Sequence, residues 1–179
     1  MMPTDQAIPV MYYQASAKWR IHIYTDGSSR GNPGPGGYGI VMELVGMAYR
    51  KEFSEGFRRT TNNRMELLAV IVALEKIKSI GQNIIVFTDS KYVAEAVQKQ
   101  WVFHWEKNDF QMKKNSDLWQ RFLKIYRWHW VTFQWIKGHS NHPQNERCHR
   151  LAVQTSLQKR MNIDQVYEQQ NPFRKRFLL

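Results

Sequence analysis

Residues 83–88 form the plainest stretch of the chain: Ile84-Ile85-Val86-Phe87 is apolar without interruption, the pattern of a strand buried on both faces. Residues 20–25 alternate apolar with polar or basic positions and predict an earlier strand. Residues 26–37 are rich in Gly, Pro and Ser and predict a turn. Residues 38–45 and 47–55 then predict a hairpin with Gly46 at its tip. Residues 62–80 are apolar almost all round and predict a helix pressed against a sheet, with Gly81 as its C-cap. Asp89-Ser90 supplies capping residues for a helix to about Gln98. Residues 99–115 have no clear period. Residues 116–126 predict a helix, 130–136 a strand and 145–158 a last helix. A hairpin followed by alternating strands and helices implies an α/β fold, a mixed sheet with helices on both faces.

The patterned region divides the chain into an N-terminal extension (1–18), one domain (19–158) and a C-terminal tail (159–179). The tail is polar, then basic at Arg174-Lys175-Arg176, then apolar, and its composition is that of a disordered basic segment. At 179 residues the chain suits a single core. The formal net charge is +11, which points to a polyanion, nucleic acid before membrane. The one cysteine, Cys148, rules out an intramolecular disulfide and fits a reducing compartment. No apolar run approaches a membrane span or a secretory leader, so the expectation is a cytoplasmic protein without membrane contact.

Candidate chemistry lies at carboxylates in costly places. Asp26 and Asp89 sit where strands are expected to end, and Glu66 lies in a helix whose other residues are apolar. Singly, the aspartates also suit a turn and a helix N-cap, and Glu66 suits a solvated helix end. Together at the carboxyl ends of neighbouring parallel strands they would form a site for hard divalent cations. Two such ions can activate water and stabilise a leaving oxygen in phosphoryl chemistry.

Five segments in order resemble the bacterial type 1 ribonuclease H family. They are Thr25-Asp26-Gly27-Ser28 with Gly31-Asn32-Pro33-Gly34 to Gly39, Thr60 to Leu67, Thr88 to Val93, Trp135 to His139, and Asn145-Glu146-Arg147-Cys148. The resemblance runs from about Arg20 to Gln158. It implies a ribonuclease H-like fold with a five-stranded sheet, three strands antiparallel and then parallel ones. It also implies cleavage of the RNA strand of RNA–DNA hybrids by two ions, Mg2+ or Mn2+, leaving 5′-phosphate and 3′-hydroxyl ends. By the same resemblance Asp26, Glu66 and Asp89 are metal ligands, Asp26 bridging both ions, and His139 is a catalytic loop histidine. Arg59, Thr61 and Asn115 fall where the family grips a phosphate of the DNA strand. Asn32, Asn62 and Asn63 fall where it reads minor-groove edges and the 2′-hydroxyl, the group that distinguishes RNA from DNA.

The chain departs from the family at His149, where the pattern has a fourth aspartate. Three readings stand: a catalytic and metal-ligating substitute, a weakened site shifted towards Mn2+, whose affinity for nitrogen exceeds that of Mg2+, or a protein that binds hybrids without cutting them. A related nuclease acting on DNA is a further alternative. Residues 99–127 are basic, with aromatics interleaved, and resemble a shortened form of the family's basic protrusion. Trp101 and Trp105 there are either hybrid-contacting or core residues. The expectation is a monomer.

Overall fold

The computed structural model describes residues 20–138 and 140–172. Five strands form one sheet in the order β3-β2-β1-β4-β5. The strands are β1 (Arg20–Ser29), β2 (Gly34–Leu44), β3 (Arg50–Thr60), β4 (Asn83–Thr88) and β5 (Trp130–Trp135). The first three pair antiparallel, and β1–β4 and β4–β5 pair parallel. The helices are α1 (Asn62–Glu75), α2 (Lys91–Gln98), α3 (Trp101–Lys107), α4 (Ser116–Tyr126), α5 (Pro143–Ser156) and α6 (Gln165–Gln170). Strand periodicity of two divides β1 between the faces. Ile21 and Ile23 join the large core beneath α1, α2 and α4, while Tyr24 joins Val41, Phe87 and Cys148 beneath α5. The mixed sheet with helices on both faces is as the sequence implies.

Glycine decides how closely α5 lies on the sheet. A Cβ at Gly37, Gly39 or Gly56 would come within 2.2 Å of Thr155 or Cys148 atoms, so β2 and β3 present a bare strip on which the helix backbone rests. This explains why the Gly-rich segment is not the long turn expected. Ser28 pairs with Gly37 and Ser29 with Gly36, so strand continues on both sides and only residues 30–33 turn.

Other boundaries differ for local reasons. β3 runs on to Thr60. α1 stops at Glu75, and Gly81 (φ 70°) is not its cap: its N–H donates to the Trp128 carbonyl at 2.7 Å, fastening the connection to the start of β5. Within 99–115 the short helix α3 opens after Gln100, which adopts a left-handed φ of 58°. Part of the segment beyond 158 is ordered against the domain. Asn162 pairs with Phe57 of β3, and Asp164 caps α6, accepting from the Tyr167 N–H. Asp164 is buried, because a guanidinium from α1 meets its carboxylate. The extension 1–18 and the basic residues 174–176 lie outside the described residues. No helix among those described is long and apolar enough to cross a membrane.

Candidate active site

The parallel register brings the two aspartates together. The last β1–β4 partners are Thr25 and Thr88, so Asp26 and Asp89 are each one residue beyond the paired region, side by side. Asp26 is not at the end of its strand, as expected, because β1 continues against β2 with Asp26 opposite Gly39. Asp89 is not the cap of α2. Ser90 takes that role, accepting from the Val93 N–H, and the Asp89 carboxylate is left for the site. Glu66 arrives from α1, whose N-cap is Thr61. Gly27 admits it: a Cβ there would stand 2.2 Å from the Glu66 nitrogen, so β1 and α1 touch backbone to backbone.

Asp26, Glu66 and Asp89 each offer an oxygen within 4.8 Å of the others. Asp26 and Glu66 are buried and Asp89 is partly exposed. Burial, then the Asp89 charge, lifts the Asp26 pKa to about 6, offset in part by His149 and the Gly27 N–H. Burial, then Asp26 and Asp89, raises Glu66 well above the carboxylate range. Glu66 Oε2 is buried without a hydrogen-bond partner. Unsatisfied buried oxygen and mutual repulsion are what a divalent cation relieves, and an all-carboxylate donor set suits a hard ion. The residues therefore fit a divalent metal.

His149, half-buried on α5, places Nδ1 2.8 Å from Asp26 Oδ2. Against an ionised Asp26 the imidazole is the donor in this contact. His149 thus touches the cluster through Asp26, and it is not among the three groups whose ligand atoms converge. The Asn145 amide reaches Asp89 Oδ2 at 3.4 Å, and the Trp135 indole N–H donates to the Asp89 carbonyl at 2.9 Å. Gly138 leaves room for that carboxylate: a Cβ there would lie 2.6 Å from Asp89 Oδ2. His139 lies outside the described residues.

A model of the RNase H family matches residues 18–157. The chain belongs to the RNase H family. Ribonuclease H of Desulforamulus reducens is 51% identical over 149 residues, covering 80% of this chain and 92% of the relative. That of Rippkaea orientalis is 46% identical over 154 residues, covering 83% and 93%. Among solved structures, LC9-RNase H1, a type 1 RNase H with the type 2 active-site motif, matches with a TM-score of 0.70 at 31% identity, over 84% of this chain and 74% of that one. LC11-RNase H1 in complex with an RNA/DNA hybrid matches at 0.57 and 26% identity, over 75% and 94%. As an RNase H the chain is a nuclease, and its acidic cluster is a group that could hold a metal ion.

Of the remaining RNase H candidates, Asn32, Arg59, Thr61, Asn62, Asn63 and Asn115 lie around the start of α1, and Trp101 and Trp105 lie on α3. Asn32 Oδ1 accepts from the Asn62 N–H at 3.3 Å, joining the β1–β2 turn to α1, and Asn63 is exposed beside it. Thr61 caps α1 by accepting from the Arg64 N–H. Arg59 donates to the Asn171 carbonyl and lies over the Tyr167 ring. The Asn115 amide donates to the Tyr92 hydroxyl at 3.1 Å. The two tryptophans part company. Trp101 is exposed with Lys99 over its ring, whereas Trp105 packs edge-on against buried Trp119 and the core.

Sequence reasoning passed over Arg64, Asp117 and Asp164, which form a buried ion network two residues from Glu66. The signal was present: the argument that makes Glu66 costly in an apolar helix applies equally to Arg64.

Proposed function

We propose that the chain hydrolyses the RNA strand of RNA–DNA hybrids, leaving 5′-phosphate and 3′-hydroxyl ends, with two Mg2+ or Mn2+ ions held by Asp26, Glu66 and Asp89. The observation that carries this reading is the convergence of a carboxylate oxygen from each of Asp26, Glu66 and Asp89 within 4.8 Å, Glu66 also having a buried oxygen without a hydrogen-bond partner. Bound there, the ions would supply an activated water and charge stabilisation at the scissile phosphate. By the family resemblance Asp26 would be a ligand of both ions, and Glu66 and Asp89 would complete the set that holds them. His149 orients Asp26 through Nδ1, and that contact keeps the carboxylate directed into the cluster. His139 assists proton transfer or product release. Arg59, Thr61 and Asn115 grip a phosphate of the DNA strand, Asn32, Asn62 and Asn63 contact the hybrid minor groove, and Trp101 offers an exposed face to the substrate. Trp105 contributes from its partly buried place beside Lys113. The protein acts as a monomer in the cytoplasm.

The test is cleavage of an end-labelled hybrid with Mg2+ and with Mn2+. Wild type is expected to cut, Asp26→Asn to fall to background, and His149→Asp to gain Mg2+-dependent relative to Mn2+-dependent rate. No cleavage by wild type with either ion overturns the enzyme reading, and an unchanged metal ratio in His149→Asp overturns the role given to that position.

A further inference from the structure

Arg64 is saturated. Its Nε and Nη2 donate to the two oxygens of Asp164 at 2.7 and 2.8 Å. Its Nη1 and Nη2 donate to those of Asp117 at 2.9 and 2.7 Å. The fifth N–H, on Nη1, reaches Asn115 Oδ1 at 3.4 Å. A guanidinium has five donors, so each is committed and its plane is fixed. Through it the Asn115 amide is held at its oxygen, while the Tyr92 hydroxyl holds its nitrogen. Asp164 also accepts from the Thr60 hydroxyl at 2.8 Å, next to Thr61, and caps the short helix that carries Tyr167. The Tyr167 ring lies 5.8 Å from the Arg59 guanidinium and 5.6 Å from that of Arg64. Beyond it, the Asn171 carbonyl accepts from Arg59.

We propose that Asp164 is a positioning residue for nucleic-acid binding: through Arg64 it fixes Asn115, and through the segment it caps it fixes Arg59, so residues 164–171 are the scaffold of the phosphate grip. This rests on the hybrid-cleaving reading above, in which Arg59, Thr61 and Asn115 hold a DNA-strand phosphate. Those three come from β3, the start of α1 and the start of α4, and the Asp164 carboxylate is where the bonds that tie them converge. An Asn at 164 presents one acceptor oxygen in place of two and no charge, so Arg64 loses its paired contact and the Asn115 anchor turns with it.

The test is a double-mutant cycle of Asp164→Asn with Arg59→Ala, read as hybrid affinity in chelator across a salt series and as kcat and KM with metal. Arg59→Ala is expected to weaken binding and to flatten the log–log salt slope by roughly 0.8, one phosphate contact. Asp164→Asn is expected to raise KM about fivefold or more with kcat within about twofold. In its background Arg59→Ala then costs less than about twofold, because coupled residues are not additive. A clamp that serves stability alone predicts additive effects, and additivity in folded variants overturns the proposal. Tyr167→Leu spares the ion network and removes the ring under Arg59. It gives the same cycle if Asp164→Asn does not fold at the assay temperature. A wild type that fails to bind hybrids sinks the proposed function and this role with it. A salt slope untouched by Arg59→Ala sinks the grip assignment and this role. An additive cycle alone sinks only the positioning.

Discussion

Asp26 holds its proton to about pH 6 because burial and the Asp89 charge both oppose ionisation, and the contact with His149 offsets them only in part. The sign of the consequence is fixed. A folded-state pKa above the unfolded value means that the native protein binds the proton more tightly, so this contribution to stability is complete below about pH 4 and lost as pH rises through 6. A difference of about two pH units is worth on the order of 3 kcal/mol. Metal-free protein is therefore expected to lose melting temperature between about pH 4 and 6, Asp26→Asn to show a flatter profile, and Mg2+ or Mn2+ to restore wild type at neutral pH. Thermal melts in chelator across that range check it, and parallel curves for the two proteins would contradict it. Glu66 is displaced in the same direction by burial and the two aspartates.

At the scale of the elements, two helices each touch the sheet backbone to backbone at a glycine. α1 touches β1 at Gly27, beside Glu66, and α5 rests on Gly39 at the Cys148 carbonyl, beside His149. A methyl group at either glycine must push backbone aside. Gly27→Ala and Gly39→Ala are each expected to cost about 1–3 kcal/mol by urea unfolding, as overpacking does. Only Gly27→Ala, which displaces the helix bearing a proposed ligand, is expected also to abolish the rise in melting temperature on adding Mn2+. Equal metal responses would show that α1 and its carboxylate adapt. The same elements show what sequence discloses. β4, α2 and α4 were legible because six to eleven consecutive residues repeat one period or one apolar run. Asp26, Glu66 and Asp89 were legible because carboxylates at such positions need a reason. The paired strand beyond Asp26 was not, because glycine carries no side-chain pattern and its use here is close approach. Nor was α6: six residues of which four are Gln or Glu give no period, and its place is set by Asp164, whose partner lies 100 positions earlier.

For the molecule as a whole, charge and apolar surface part company. With a net charge of +11, binding to a hybrid is expected to weaken as salt rises. Replacing Arg174, Lys175 and Arg176 together by alanine is expected to weaken hybrid binding at low salt and to flatten the salt slope, measured by anisotropy. An unchanged slope would show that these residues do not meet phosphate. The exposed Ile80, Trp128 and Trp130 lie at the other end of β4 and β5, near Asn83, away from Asp89. The acidic cluster lies at the opposite end of these strands from that apolar group, and the net charge of the chain as a whole favours a polyanion that three carboxylates alone would repel.

The lone thiol gives this chain a built-in chemical clock. Cys148 lies fully buried on the sheet-facing side of α5, its Sγ donating to the Tyr24 carbonyl at 3.2 Å, and burial pushes its ionisation far above that of a free thiol. A thiol reagent reaches it only when α5 lifts from the glycine strip, so the rate of its modification counts the openings of the helix that carries His149. Because the chain has no second cysteine, a dye placed through a new cysteine on the surface would report from one known position while Cys148 stays silent.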